Sequence, residues 1–106
     1  MTYKASQLTP YMALHPGELL KDELEYRNIL QTKFAEKVGI SFSTLNKILN
    51  GKRSISPELA LTMEAVLGVN ADMLVRMQSD YDIYQARHNN SLIKKLSTIR
   101  HVAAML

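Results

Sequence analysis

Cysteine is absent from this chain of 106 residues, so neither a disulfide framework nor a thiolate metal site can be built. Apolar runs are short: none approaches the roughly 20 residues of a membrane span. The N-terminus lacks the basic, apolar and small-residue succession of a secretion signal. A soluble cytoplasmic protein is the expectation that remains. Glycine is scarce, four in all, and no glycine-rich phosphate loop exists. No serine stands in a nucleophile elbow. The three histidines, His15, His88 and His101, are scattered, and none pairs with a carboxylate at ligand spacing such as His-Glu-x-x-His. An enzyme is therefore the weakest reading, and no cofactor or metal is implied. Strand signals, internal repeats and low-complexity tracts are missing too. What is left is one helical domain with one core.

Apolar residues make up 46% of the chain, ordinary for a globular protein. The net charge of +3 is modest, so any affinity for nucleic acid must come from local clustering. Residues 31–53, QTKFAEKVGISFSTLNKILNGKR, supply that cluster. Lys33, Lys37, Lys47, Lys52 and Arg53 stand there against the single acid Glu36. The same stretch predicts two short helices crossing steeply. The first covers 31–38, and Gly39 then allows a sharp turn without a Cβ penalty. The second starts at a serine cap, Ser41 or Ser43, and reaches Asn50, with Gly51 ending it. Phe34, Val38, Ile40, Leu45 and Ile48 fall where the two helices bury apolar side chains, and Ala35 where they approach most closely. This is a helix-turn-helix pattern.

Residues 1–14 form an N-terminal arm without a clear period. Its apolar side chains (Tyr3, Leu8, Tyr11, Met12, Leu14) fit two readings: loose packing on the core, or ordering on a partner protein. His15-Pro16-Gly17-Glu18 opens the first regular helix, proline suiting the first turn and the acids Glu18, Asp22 and Glu23 suiting its positive end. Leu19, Leu20 and Leu24 give the buried stripe, and the helix should end between Tyr26 and Asn28. His15 reads as a cap or packing residue. Ser56 and Pro57 start a further helix to about Leu67, burying Leu59, Ala60, Met63, Val66 and Leu67, with Gly68 as its stop. Asn70 caps a fifth helix reaching Arg87, whose Leu74, Met77, Tyr81 and Tyr84 share one face.

His88 to Ser91 is a polar break. Beyond it, Leu92, Leu96, Ile99, Ala103 and Leu106 follow the 4-3-4-3 spacing of a coiled-coil seam. No acid occurs after Asp82, whereas Arg87, Lys94, Lys95 and Arg100 are basic. Residues 88–106 thus add a basic amphipathic helix to a domain, 15–87, that is complete without it. Without an aromatic anchor, protein contact suits this helix better than a membrane surface.

Three blocks carry a family resemblance. They are His15-Pro16-Gly17-Glu18-Leu19-Leu20; residues 31–35 with 45–57; and residues 67–74 with Gln78, Tyr81-Asp82 and Ala86. With them the chain resembles the Xre or phage-repressor helix-turn-helix family, and within it the HigA type of antitoxin. The resemblance implies an all-α, five-helix lambda-repressor-like domain (helix-turn-helix 31–50) with an additional C-terminal helix. It further implies a homodimer that represses its own operon, and that neutralises a HigB-type toxin, a ribosome-dependent mRNA endonuclease. Leu30 departs from the serine or threonine that often caps the first helix of the motif. Phe42 replaces a polar or basic residue, and Met73-Leu74 an aromatic pair.

On double-stranded DNA the second helix of the motif would enter the major groove. Phe42, Ser43, Asn46 and Lys47 are then the base-reading candidates, lysine for guanine O6 and N7 and phenylalanine for thymine methyl groups. Gln31, Thr44, Asn50, Lys52 and Arg53 are the phosphate candidates. A palindromic operator with half-sites roughly 34 Å apart suits a twofold dimer. Its candidate contacts, or those of another partner, are Leu74, Met77, Tyr81, Tyr84, Leu92, Leu96, Ile99 and Leu106. Two other readings stay open: a stand-alone phage-type repressor without a toxin, and an interaction module that does not bind DNA.

Overall fold

The computed structural model describes residues 13–106; the expected arm lies outside them except for Ala13 and Leu14. Among the described residues six helices follow one another: α1 (Pro16–Tyr26), α2 (Gln31–Val38), α3 (Phe42–Leu49), α4 (Pro57–Leu67), α5 (Ala71–Arg87) and α6 (Asn90–Ala103). The all-α class expected from the sequence is the one observed. No helix among the described residues is long and apolar enough to cross a membrane.

Side chains fix most of the helix starts. The hydroxyl of Ser41 accepts from the Thr44 N–H, that of Ser56 from Leu59, and the amide oxygens of Asn70 and Asn89 from Met73 and Leu92. At α1 the same role falls to a ring nitrogen, His15 Nδ1, which accepts from the Gly17 N–H at 2.9 Å. Helix α2 alone begins without such a bond, because Leu30 precedes it. Helix ends are closed by backbone. Asn28 takes φ 57°, a conformation asparagine tolerates, and lets the Ile29 N–H reach the Leu24 carbonyl at 2.8 Å. Arg27 Nη2 reaches over to the open carbonyl of Leu67 at the end of α4, 2.7 Å away.

Leu20, Leu24, Leu45, Leu49, Met63 and Leu74 fill the centre of the core, with Phe34 and Ile48 beside them. Helix α3 packs on α1 and α2, and α5 on α1 and α4. Two expectations need correction. Val66 is 52% exposed: Ala60, Met63 and Leu67 already fill the α4 face that meets α5, and Val66 falls to one side of it. Leu74 is wholly buried in the core of its own domain, so it has no surface to offer a partner. The polar break is also shorter than expected, with His88 ending α5 and Asn89 already capping α6. Helix α6 contributes nothing to the core; none of its residues is buried, and only Leu92 is half-buried.

Candidate nucleic-acid interface

The two helices of the motif meet through Phe34 and Ala35 on α2 and Leu45, Ile48 and Leu49 on α3. Gly39 makes the turn with φ 80°, and the N–H groups of Gly39 and Ile40 both reach the Ala35 carbonyl at 3.0 Å. Ser41 then both accepts from the Thr44 N–H and donates its hydroxyl proton to Thr44 Oγ1, at 3.1 and 2.8 Å. Burying Leu45, Ile48 and Leu49 turns the opposite side of α3 outward. At 100° per residue, Phe42, Ser43, Asn46, Lys47 and Asn50 lie within an arc of about 140° on that outward side. Phe42 is 47% exposed, so its ring stays at the surface rather than packing inward. Ser43 and Lys47 are exposed, and Asn46 is half-buried.

Asn46 is half-buried because it is held. Its Nδ2 donates to Gln31 Oε1 at 3.1 Å, which ties the middle of α3 to the first residue of α2. The bond uses neither Asn46 Oδ1 nor the Gln31 amide N–H groups, which keep their capacity for other partners. Since Leu30 provides no cap, the first N–H groups of α2 also lack a side-chain acceptor at this edge. The expected phosphate set is more dispersed. Thr44 and Arg53 line one shallow groove together with Val38, Ile40 and Ile48. Asn50 turns back, donating to the Asn46 carbonyl at 2.9 Å and receiving Lys21 Nζ at 3.5 Å. It borders a depression lined by Glu18, Asp22 and Glu25, whose charge opposes an anion there. Lys52 and Arg53 are exposed on the turn after Gly51.

That turn is held from beneath, by residues far from it in the sequence. The His15 ring lies against Gly51, which has φ 73°, and edge-on to Tyr81 with centroids 5.0 Å apart. Gly17 sits under the carbonyl of Ile48, where any β-carbon would collide. Gln78, buried on α5, accepts from the Ile55 N–H through Oε1 and donates to Asp82 Oδ1, both at 2.9 Å. In the sequence Gln78 stands out only through the family resemblance. The signal that could have found it is a lone amide between Leu74 and Tyr81 on an otherwise apolar face. His15 is 3% exposed, and burial pushes its pKa down, against the opposing pull of a hydrogen bond to the Arg53 backbone and the charges of Asp82 and Glu18.

A profile of the helix-turn-helix family matches residues 20–74. The Escherichia coli (strain K12) protein YddM, an uncharacterized HTH-type transcriptional regulator, is 30% identical over 77 residues, or 71% of this chain and 82% of its own length. The structure of an addiction module antidote protein of the HigA family from Coxiella burnetii is similar with a TM-score of 0.66 at 30% identity, covering 78% of this chain and 92% of that one. The Pseudomonas aeruginosa antitoxin HigA, solved with the higBA promoter, gives a TM-score of 0.70 at 28% identity, with 85% and 94% covered. The chain belongs to the Xre-type helix-turn-helix family, and within it shares the architecture of the HigA antitoxins.

Proposed function

We propose that this protein is a sequence-specific DNA-binding antitoxin of a type II toxin–antitoxin system. Acting in the cytoplasm as a homodimer, it represses its own operon on a palindromic site and neutralises a HigB-type mRNA interferase. The observation that carries the DNA-binding part is the outward arc of α3, with Phe42, Ser43, Asn46 and Lys47 free of the core and the open start of α2 beside it. The antitoxin part rests on the likeness to HigA proteins.

Helix α3 enters the major groove. Lys47 donates to guanine O6 and N7, Ser43 and Asn46 hydrogen-bond base edges, and Phe42 presses on thymine methyl groups. The Gln31–Asn46 bond fixes the Asn46 rotamer before DNA arrives, so less side-chain entropy is lost on binding. At the edge of the groove, a phosphate oxygen supplies the acceptor that Leu30 does not, receiving the first N–H groups of α2 and the Gln31 side chain. Thr44, Lys52 and Arg53 hold the neighbouring backbone, and Asn50 contributes least because Lys21 and the α1 acids already surround it.

Mobility-shift titrations of the purified chain test this, on the DNA upstream of its own gene and on a random duplex, at several salt concentrations. Preferential binding upstream, with a footprint symmetric about a palindrome, is expected. Equal affinity for both duplexes would sink the repressor assignment and favour the interaction module. Co-expression with the adjacent reading frames tests the antitoxin part, the expected result being a small basic protein that co-purifies. Operator binding without any such partner would replace the antitoxin by a stand-alone repressor.

A further inference from the structure

Lys52 and Arg53 are exposed on the connection between α3 and α4, a segment with no helix of its own. A loose connection would give up backbone freedom each time it gripped a phosphate, and the grip would weaken accordingly. The structure fixes it from within, on both sides of Arg53. On the near side, the N–H groups of Gly51 and Lys52 close back on the Ile48 and Lys47 carbonyls at 3.0 and 2.8 Å. The His15 ring lies against Gly51, and its Nδ1 is occupied by the Gly17 N–H. Nε2 is then the nitrogen that donates to the Arg53 backbone.

On the far side, Ile55 buries its side chain and gives its N–H to Gln78 Oε1 at 2.9 Å. Gln78 is itself fixed, because its Nε2 donates to Asp82 Oδ1 one turn further along α5, also at 2.9 Å. This second bond decides which way the amide faces. With nitrogen toward the carboxylate, the oxygen is left for Ile55. An amide reversed end for end would set N–H against N–H at Ile55 and oxygen against oxygen at Asp82. The amide thus serves the connection, not the apolar core of Leu74 and Met63 beside it.

We propose that Gln78 and His15 are positioning residues for DNA binding, a buried clamp that holds the connection so that Lys52 and Arg53 meet phosphates. Neither touches DNA itself, at 6% and 3% exposure. The inference rests on the DNA-binding reading above and adds two residues outside the helix-turn-helix, one capping α1 and one on α5. Base reading belongs to α3, which is held separately through Leu45, Ile48 and Leu49. Releasing the clamp therefore lowers affinity while sequence preference stays.

Mobility shifts over a range of salt concentrations, on the upstream DNA and on a random duplex, read this out. Gln78→Ala should weaken both by a similar, several-fold factor. It should also flatten the salt slope toward that of a Lys52→Ala/Arg53→Ala protein, as a lost phosphate contact does. In the Lys52→Ala/Arg53→Ala background the same Gln78→Ala change should cost less than about twofold, because what it positions is gone. His15→Asn, which can cap Gly17 but is too short to reach Arg53 as well, should follow the same pattern. Far-UV circular dichroism checks that each variant keeps its helices. Should Gln78→Ala fail to fold, Gln78→Glu and Gln78→Glu/Asp82→Asn give a second route. The first accepts from Ile55 but is repelled by Asp82; the second supplies an amide donor at position 82 and restores both bonds. The pair should recover the affinity and salt slope that Gln78→Glu loses. Equal losses in both backgrounds overturn the proposal, as do parent-like binding by Gln78→Ala and no recovery in the pair. Each of these leaves the repressor standing as long as the parent prefers its operator, whereas a parent that binds no DNA overturns both readings.

Discussion

Gly17, in the first turn of α1, lies directly beneath the Ile48 carbonyl near the end of α3, with no room for a β-carbon between them. The obstacle is backbone rather than the tip of a flexible side chain, so it cannot swing aside. Gly17→Ala must push the start of α1 away from the end of α3, together with the turn that carries Lys52 and Arg53. Overpacking of this kind costs about 1–3 kcal/mol. Chemical denaturation should show that loss, and mobility shifts should show weaker DNA binding although Gly17 itself touches no DNA. A Gly17→Ala protein as stable as the parent would mean the two helices separate without cost.

His15 makes the same junction sensitive to pH. Its pKa is lowered from the ordinary 6.5 chiefly by burial, and Nδ1 must stay unprotonated to accept from Gly17. The unfolded chain therefore takes up a proton near pH 6.5 that the folded chain refuses. Stability from this group is whole above that value and is lost as pH falls below it toward the lower folded-state pKa. His15→Asn keeps a capping acceptor and cannot titrate. Thermal midpoints measured from about pH 7.5 down to about pH 5 should fall more steeply for the parent than for His15→Asn. His88 and His101 are present in both proteins and cancel in the difference. Parallel profiles would remove His15 as the source.

On α4 the structure separates two residues that the sequence placed together in the core. Met63 is fully buried and Val66 is 52% exposed. Met63→Ala should cost about 2–5 kcal/mol, through lost burial and the cavity left behind. Val66→Ala should stay within about 0.5 kcal/mol of the parent. A large loss at Val66 would show that this side of α4 is covered in solution.

The helix-turn-helix was legible because its determinants are local. Gly39, Ser41 and the spacing of Phe34, Leu45 and Ile48 fix two short helices and the turn between them, and the structure places each element where that spacing does. The errors arose where a distant part of the chain decides. The period correctly grouped Leu74 with Met77, Tyr81 and Tyr84, but only the presence of α1 and α4 makes Leu74 core rather than surface. Val66 failed for the same reason: α4 carries more apolar residues than its neighbours can cover. The need for glycine at position 17 was invisible, because it depends on where the α3 backbone passes. The capping role of His15 was foreseen, but its seat on Gly51 was not, since that contact exists only after folding.

Lys47 and Arg53 separate base reading from phosphate holding. Lys47 is exposed on the outward arc of α3, whereas Arg53 stands on the turn after it, at the groove it shares with Thr44. A lysine on a guanine edge adds energy only on the right sequence; an arginine on a phosphate adds it on every sequence and releases a counterion. Lys47→Ala should therefore cost about 1–3 kcal/mol on the cognate operator and little on random DNA. Arg53→Ala should weaken both by a similar factor and reduce the salt slope by about one unit. Neither side chain is part of the core, so thermal midpoints should barely move, and the difference must come from the bound state. Mobility shifts over a range of salt concentrations, on cognate and random duplexes in parallel, measure all four quantities. If Lys47→Ala loses the same factor on both duplexes, Lys47 holds phosphate, and base reading passes to Phe42, Ser43 and Asn46.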